Sequence, residues 1–165
     1  MFEKKLALDI GAGSRPLKIE GFDVKTLDAR PEVHPDFVGE FSKIKVPDGA
    51  FDLVHASHVL EHVKRNDVYN VLKEWRRVLA EGGELRIAVP DLEIAAIELL
   101  SCQTSNDTFD ILWGAQNHEF NFHYTGYTRQ LLEAMISKYG FEIKEIVCKD
   151  RCIYLTAIKL KGEYV

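Results

Sequence analysis

Two glycines near the start of the chain lie where a protein would hold a ligand. The apolar residues 6–10 lead directly into Gly11-Ala12-Gly13, and a short apolar run that stops at a glycine pair is typical of a buried strand turning into a ligand-binding loop. The dinucleotide-binding fingerprint continues to a third glycine, where this chain has Pro16. The pattern therefore predicts a ligand loop that departs from the one used by nicotinamide enzymes.

An acidic residue follows at a spacing that suits a ribose ring. Asp28 ends the next apolar run, seventeen residues after Gly11, which is close to the separation at which an acidic side chain accepts hydrogen bonds from a ribose diol. An aspartate at the end of a strand is also a common helix cap. The spacing alone leaves both interpretations of Asp28 open.

Histidines supply the candidates for proton transfer, because imidazole titrates near neutral pH. His58 follows a predicted strand, and His118 and His123 lie in the segment 117–127, which also contains two tyrosines. Each of the three is a candidate general base. The alternative is that 117–127 is an aromatic loop packed for stability. Alternation along the strand before His58 predicts that His55 is buried.

The elements that position these residues follow from the apolar pattern. The predicted strands are residues 5–10, 23–28, 36–41, 51–57, 84–90, 141–148 and 152–160. The predicted helices are residues 67–79, which Gly82-Gly83 would stop, 91–102, 108–116 and about 128–140. Their alternation predicts an α/β fold with a doubly wound, mostly parallel, seven-stranded sheet, and the short link 149–151 makes the last strand antiparallel. Ligands bind such sheets at the carboxyl ends of the strands.

Composition limits the class of protein. The chain has 165 residues, of which 46% are hydrophobic and 28% charged, so we expect a single domain over residues 1–165. A net charge of -5 argues against a nucleic-acid partner, and with no apolar stretch long enough for a membrane span or signal peptide we expect a cytoplasmic protein. Cys102, Cys148 and Cys152 are expected to be packed thiols, and no metal site is predicted.

In this order, the motifs resemble those of class I S-adenosylmethionine-dependent methyltransferases, and the resemblance extends over nearly the whole chain. The segment 8–13 matches the family's first motif, which cradles the methionine part of the cofactor, and Asp28 matches its ribose-binding acid. The segments 47–54 and 57–62 are similar to the fourth motif and the turn after it, and 74–83 is similar to the helix and double glycine before strand five. The resemblance implies a Rossmann-like methyltransferase fold with S-adenosylmethionine as cofactor.

The resemblance also assigns the cofactor contacts. Glu40 stands where family members carry an acid, usually aspartate, that meets the adenine amino group. The implied cofactor-binding residues are Asp9, Gly11, Ala12, Gly13, Asp28, Ala29, Glu40, Phe41, Ser57 and His58. Pro16 is then explained, because S-adenosylmethionine has no pyrophosphate for a helix N-terminus to bind. The connection to the second strand is too short for a full helix, so residues 14–21 are predicted to be a loop with at most one turn.

The implied reaction is transfer of the sulfonium methyl group to a nucleophile, which must be positioned and, if it is a hydroxyl, deprotonated. The catalytic candidates are His118, His123 and His58. We expect the segment 117–127 to be a mobile lid that closes over the site.

Small methyltransferases with this layout resemble enzymes of glycan and cell-surface assembly, which implies a sugar or another small polar acceptor. A nucleic-acid acceptor is disfavoured, because Ala56-Ser57-His58 stands where the amino-methylating nucleic-acid enzymes of the family carry Asn or Asp followed by Pro-Pro-Tyr. One alternative is a non-catalytic cofactor-binding subunit or regulator. A nicotinamide-dependent reductase is a second alternative, which Pro16 disfavours. The oligomeric state is not predicted.

Overall fold

The computed structural model describes residues 4–162, so the first three and last three residues of the predicted domain lie outside the described range. Its strands are β1 (Lys5–Ile10), β2 (Phe22–Asp28), β3 (Phe37–Val38), β4 (Phe51–Ser57), β5 (Leu79–Pro90), β6 (Phe141–Lys149) and β7 (Cys152–Lys159). Its helices are α1 (Val68–Val78), α2 (Leu92–Leu100), α3 (Asn106–Trp113) and α4 (Arg129–Lys138), with single 3-10 turns at Pro31–Val33 and Leu60–His62. No helix within the described range is long and apolar enough to cross a lipid bilayer.

The strands form one sheet in the order β3-β2-β1-β4-β5-β7-β6. The first five strands pair in parallel, and β7 pairs antiparallel with both β5 and β6. Only Asp150 and Arg151 join β6 to β7, which is a hairpin connection. The predicted α/β fold, with a doubly wound, mostly parallel sheet and an antiparallel last strand, is confirmed.

The centre of the sheet is apolar and closed to solvent. Leu8 of β1, Leu53 of β4 and Leu85 of β5 are fully buried. The apolar side of α1 packs into the core with Val68, Val71, Leu72, Trp75 and Val78. The buried indole of Trp75 donates a hydrogen bond to the carbonyl of Phe41 over 3.0 Å, so the segment after β3 is fastened to α1.

Two predicted boundaries are wrong, and both errors arise where the chain changes partners. β3 covers two residues instead of 36–41, because the chain turns away from the sheet at Gly39, whose N–H donates to the carbonyl of Asp28. Gly82-Gly83 does not stop α1 but lies inside β5. The helix ends earlier because Leu79 takes an extended conformation and pairs with Phe51 of β4. The predicted loop at 14–21 is confirmed, since no helix lies between β1 and β2.

Arg77 at the end of α1 fixes the segment that leads from β3 to β4. Its guanidinium donates to the carbonyls of Ile44 and Val46 over 2.8 and 2.9 Å and to the carboxylates of Glu74 and Asp48. Glu74 in turn accepts the N–H of Ile44 over 2.6 Å. Hydrogen bonds from Arg77 hold the pKa of Glu74 below its usual value, against the opposing effect of burial.

We predict that Arg77→Met lowers the free energy of unfolding by about 1–3 kcal/mol, because two carbonyls and two carboxylates lose the hydrogen bonds that the guanidinium donates;. The lowered pKa of Glu74 means that its ionised form stabilises the fold above pH 4.5, and this contribution is lost as the pH falls through the lowered pKa;. Arg77→Met should therefore also flatten the acid limb of the stability profile. Urea unfolding at several pH values measures both effects.

The matched control is Arg65→Met, which removes an exposed arginine from the turn before α1 and should change the unfolding free energy by less than about 0.5 kcal/mol. Equal losses in the two variants would show that the Arg77 network does not fasten this segment.

Candidate functional site

A cavity of about 260 Å³ lies at the carboxyl ends of the central strands. Its walls come from the ends of β1 and β2, from the turns after β3 and β4, and from the segment between α3 and α4. The lining residues are Ile10, Gly11, Leu27, Asp28, Ala29, Arg30, Gly39, Phe41, His58, Val59, His62, His118, Phe120 and Asn121. Six of the predicted site residues are therefore brought together here: Gly11, Asp28, Ala29, Phe41, His58 and His118.

Gly11 occupies a position that no other residue fits. Its φ is +67°, and a Cβ placed on it would lie 2.5 Å from Cγ2 of Val59. Its N–H donates to the carbonyl of Leu27 over 2.7 Å, so the turn after β1 is held against the end of β2. The glycine keeps the floor of the cavity open between the two strand ends.

The carboxylate of Asp28 is buried and fully engaged. One oxygen accepts from the N–H of Gly13 over 2.9 Å and from the Arg30 guanidinium over 3.3 Å. The other accepts from the backbone N–H and the side chain of Arg30 over 2.9 and 3.1 Å. Burial opposes ionisation, but the hydrogen bonds from Arg30 and Gly13 outweigh it and hold the pKa of Asp28 below its usual value. Asp28 thus braces the glycine loop and forms a cavity wall.

Asp9 lies behind the cavity and does not line it. Its buried carboxylate accepts the N–H of Leu17 over 2.7 Å and lies 2.7 Å from Nδ1 of His55. These contacts hold the loop at 14–21 against β1 and β4. Asp9 therefore positions the glycine loop from below, and His55, which the alternation placed in the interior, is its partly exposed partner.

A second, larger cavity of about 1020 Å³ adjoins the first. The two cavities share Ala29, Phe41, His62 and Phe120. Glu40 lines the second cavity and not the first, and its carboxylate accepts a hydrogen bond from the Ser42 hydroxyl over 3.4 Å. The remaining wall is rich in charged side chains from α1 and the segment before β4.

The histidines on the first cavity differ in how they are held. His58 has a φ of +55°, and its Nδ1 lies 3.2 Å from Oε1 of Glu61. Interaction with Glu61 raises the pKa of His58 above its usual value, against the effect of burial. His118 accepts the N–H of Phe120 at Nδ1 over 3.3 Å, a long contact on an exposed turn.

Five predicted residues line neither cavity: Asp9, Ala12, Gly13, Ser57 and His123. Ser57 faces a separate, smaller pocket of about 160 Å³ between β4 and the antiparallel strands. His123 instead contacts the ring of His62, with centroids 4.9 Å apart. Burial lowers the pKa of His62 below its usual value.

The segment 117–127 has two parts. From His123 onward it is fastened to the core, because the N–H groups of Tyr124 and Thr125 both donate to the carbonyl of Glu61, and Tyr127 is buried. His118, Phe120 and Asn121 form a wall of the first cavity. Residues from His123 onward are thus held by the core, and the mobile lid expected for 117–127 stays a prediction.

Sequence reasoning missed Arg30, Val59, His62 and Phe120 as cavity residues. The signal for Arg30 was its position two residues after Asp28, where a long side chain can fold back onto the carboxylate. The signal for His62 was the cluster His58-x-x-Glu61-His62, which places three polar side chains on one short turn after β4.

Comparisons with known proteins give a family through one family model and the same fold through solved structures. A family model described as a methyltransferase domain matches residues 2–146. A solved SAM-dependent methyltransferase from Methanosarcina mazei is similar, with a TM-score of 0.74 and 19% sequence identity over 98% of this chain and 95% of that one. No curated protein sequence matches the chain at a significant level.

Two further solved structures share the fold. A putative methyltransferase from Bacillus halodurans aligns with a TM-score of 0.65 and 15% identity over 96% of this chain and 94% of that one. The 1,6-didemethyltoxoflavin-N1-methyltransferase of Burkholderia thailandensis, solved with bound 1,6-didemethyltoxoflavin and S-adenosylhomocysteine, aligns with a TM-score of 0.65 and 14% identity over 96% of this chain and 72% of that one.

We predict that Gly11→Ala destabilises the fold more than Gly21→Ala does. Both glycines have positive φ, but a Cβ at Gly21 meets nothing within 4 Å, whereas one at Gly11 meets Val59. Left-handed backbone costs an alanine about 1–2 kcal/mol at either position, and overpacking against Val59 should add roughly 1–3 kcal/mol at Gly11. Chemical denaturation of the two variants measures the difference. Equal losses would mean that Val59 yields freely and does not define the cavity floor.

Proposed function

This chain belongs to the methyltransferase domain family and is a methyltransferase that uses S-adenosylmethionine, and we propose that its acceptor is a hydroxyl group of a small polar molecule of the sugar class. The observation that carries the proposal is the pair of adjoining cavities, whose walls differ in chemistry. The first is lined by Gly11 and Asp28, and the second carries nine charged or amide side chains among its lining residues.

The wall of the second cavity suits a hydroxyl-rich acceptor. Its charged and amide residues are Glu40, Lys43, Asp48, Lys64, Asp67, Asn70, Lys73, Glu74 and Arg77. Asp48, Glu74 and Arg77 are bound to one another. The side chains left for an acceptor are two acids and three bases, which together offer both donors and acceptors of hydrogen bonds: Glu40, Asp67, Lys43, Lys64 and Lys73. A surface that neutralises nucleic-acid phosphates would instead carry an excess of bases. This balance supports a neutral polar acceptor over a nucleic acid.

Asp28 is the proposed ribose ligand in the first cavity. Its two oxygens currently accept from the Arg30 guanidinium as well as from backbone N–H groups. The Arg30 side chain is 27% exposed, so it can swing outward while the backbone contacts stay. The ribose hydroxyls then take the places of the guanidinium N–H groups, and the carboxylate remains fully hydrogen bonded throughout.

The reaction takes place where the two cavities meet. The acceptor oxygen attacks the methyl carbon of the sulfonium, and the bond from carbon to sulfur breaks with its electron pair going to sulfur, which leaves S-adenosylhomocysteine. The hydroxyl proton goes to Nδ1 of His118, whose present contact with the N–H of Phe120 is 3.3 Å long and exposed and is therefore easily exchanged. His118 is the proposed general base, because His123 lies outside the first cavity.

Residues 117–122 are the proposed lid. The cavity that they help to enclose is about 260 Å³, which is below the roughly 300–1,000 Å³ typical of ligand pockets. We propose that this part of the segment moves to admit the cofactor and closes again to exclude water from the reacting atoms. The part from His123 onward is hydrogen bonded to the core and anchors the proposed lid.

We predict that S-adenosylhomocysteine binds and NADH does not, and that Asp28→Asn weakens S-adenosylhomocysteine binding by about 1.5–3 kcal/mol, because the amide accepts hydrogen bonds from the ribose diol less strongly than the carboxylate. Isothermal titration calorimetry measures both. Asp23→Asn is the matched control, since Asp23 lies on the same strand but is exposed and pairs with Lys25. Unchanged affinity in Asp28→Asn would remove the ribose role, and tight binding of NADH alone would overturn the cofactor arrangement.

We also predict that His118→Ala lowers the turnover rate about a hundredfold, the scale of a lost general base, while affinity for S-adenosylhomocysteine is unchanged. Turnover is measured as S-adenosylhomocysteine released in the presence of free sugars, sugar phosphates and nucleoside-diphosphate sugars. His34→Asn is the control, because His34 is exposed and far along the chain from both cavities' histidines. A His118→Ala variant with full activity would exclude this residue as the base, and a cofactor-binding protein inactive on every acceptor would contradict the sugar proposal.

A further inference from the structure

Three metal-ligating side chains meet beside the junction of the two cavities. Glu61, His62 and His123 each offer one ligand atom, and these atoms lie within 4.8 Å of one another. Glu61 and His62 come from the 3-10 turn after β4, and His123 comes from the segment before α4. Small side-chain rotations would bring the three atoms to about 2.0–2.2 Å from a single ion, the usual bond lengths for zinc with nitrogen and oxygen ligands.

The carboxylate of Glu61 is an unexplained group. It is 1% exposed, and neither of its oxygens has a hydrogen-bond partner within the described residues. Nδ1 of His58 lies 3.2 Å from Oε1, an ion-pair distance, but the contact does not meet hydrogen-bond geometry. A buried carboxylate without a hydrogen-bond donor costs considerable free energy, which a further cation or donor beside Glu61, in addition to His58, would offset.

Both histidines are held in the tautomer that binds metals. Nδ1 of His62 lies 3.0 Å from the carbonyl of Phe122, and Nδ1 of His123 lies 2.9 Å from the carbonyl of Ile111. A carbonyl only accepts, so each Nδ1 carries the proton and donates it. Each Nε2 is then left with a free lone pair, and backbone carbonyls at Nδ1 are the usual outer partners of metal-bound histidines.

We propose that Glu61, His62 and His123 form a binding site for a divalent transition-metal ion of the zinc class. Two imidazole nitrogens and one carboxylate favour such an ion over Mg²⁺, which prefers oxygen ligands. Three protein ligands leave a coordination position open, and His62 lines both cavities. On the premise of the proposed function, an ion held by these three residues would act as a Lewis acid on the acceptor hydroxyl and would ease the loss of its proton to His118.

The test measures metal binding without cofactor or acceptor. Protein stripped with a chelator is titrated with Zn²⁺ by calorimetry, and its thermal unfolding is followed with and without Zn²⁺. We expect one Zn²⁺ per chain, a rise of several degrees in the melting temperature, and no response to Mg²⁺. Glu61→Gln and His62→Ala should each weaken Zn²⁺ binding at least tenfold and abolish the rise in melting temperature.

Two controls separate this site from adventitious zinc binding. Cys152→Ser removes the thiol that lies 3.7 Å from Nε2 of His58, and His34→Asn removes an exposed histidine; both variants should bind Zn²⁺ as the wild type does. S-adenosylhomocysteine binding by each variant confirms that it is folded. Zn²⁺ binding that survives in Glu61→Gln and His62→Ala, or that is lost in Cys152→Ser, would overturn the proposal, as would a response to Mg²⁺ alone.

The outcome is independent of the acceptor. If Zn²⁺ binds as expected but no sugar is methylated, the metal site stands and the acceptor class is wrong. If sugars are methylated at an unchanged rate by the chelated protein and Zn²⁺ does not bind, the metal site is wrong and the proposed function stands.

Discussion

The site depends on the reversal of strand order at β1. β1 pairs with β2 on one side and with β4 on the other, and Ile10 lies opposite both Leu27 and Ala56. This register brings three strand ends level, so that the turns after them leave the sheet at one place. Connections that depart in opposite directions from such a point open a crevice between them. The parallel register, fixed by burial of both sheet faces, therefore decides that the glycine loop, Asp28 and His58 share one cavity.

Buried carboxylates lie at or just after the carboxyl ends of the parallel strands, where the candidate site is. The buried acids among the described residues are Asp9, Asp28, Glu61 and Asp91. Asp9 braces the loop after β1, Asp28 binds Gly13 and Arg30, and Asp91 caps α2 by accepting the N–H of Glu93. Each of these three accepts at least one backbone N–H that a turn would otherwise leave unpaired;. Glu61 differs, because its carboxylate has no such donor, and this difference separates a structural acid from a candidate ligand.

Sequence patterns predicted the frame of the molecule better than its contacts. β1 and β4 have the predicted boundaries, since apolar runs that end in turn residues carry a strong local signal. The length of β3 was overestimated, and the glycine pair after α1 was wrongly predicted to end the helix. Both limits depend on pairing with a neighbouring strand, which local periodicity does not reveal. The cluster of Glu61 and His62 with His123 joins residues that are about sixty positions apart. Only the return of the chain over the strand ends brings them together, so spacing could not reveal it.

The ion pair between Arg30 and Asp28 affects which ligands can bind in the first cavity. The carboxylate of Asp28 already accepts hydrogen bonds from the guanidinium of Arg30. An entering ligand must therefore replace those donors with its own. Two hydroxyl groups on adjacent carbons offer a paired geometry that matches the outgoing fork, whereas a single hydroxyl leaves one acceptor unfilled in a buried place. On the proposed ribose role of Asp28, nucleosides that lack the 2′- or the 3′-hydroxyl should therefore displace the guanidinium of Arg30 less readily than those that carry both.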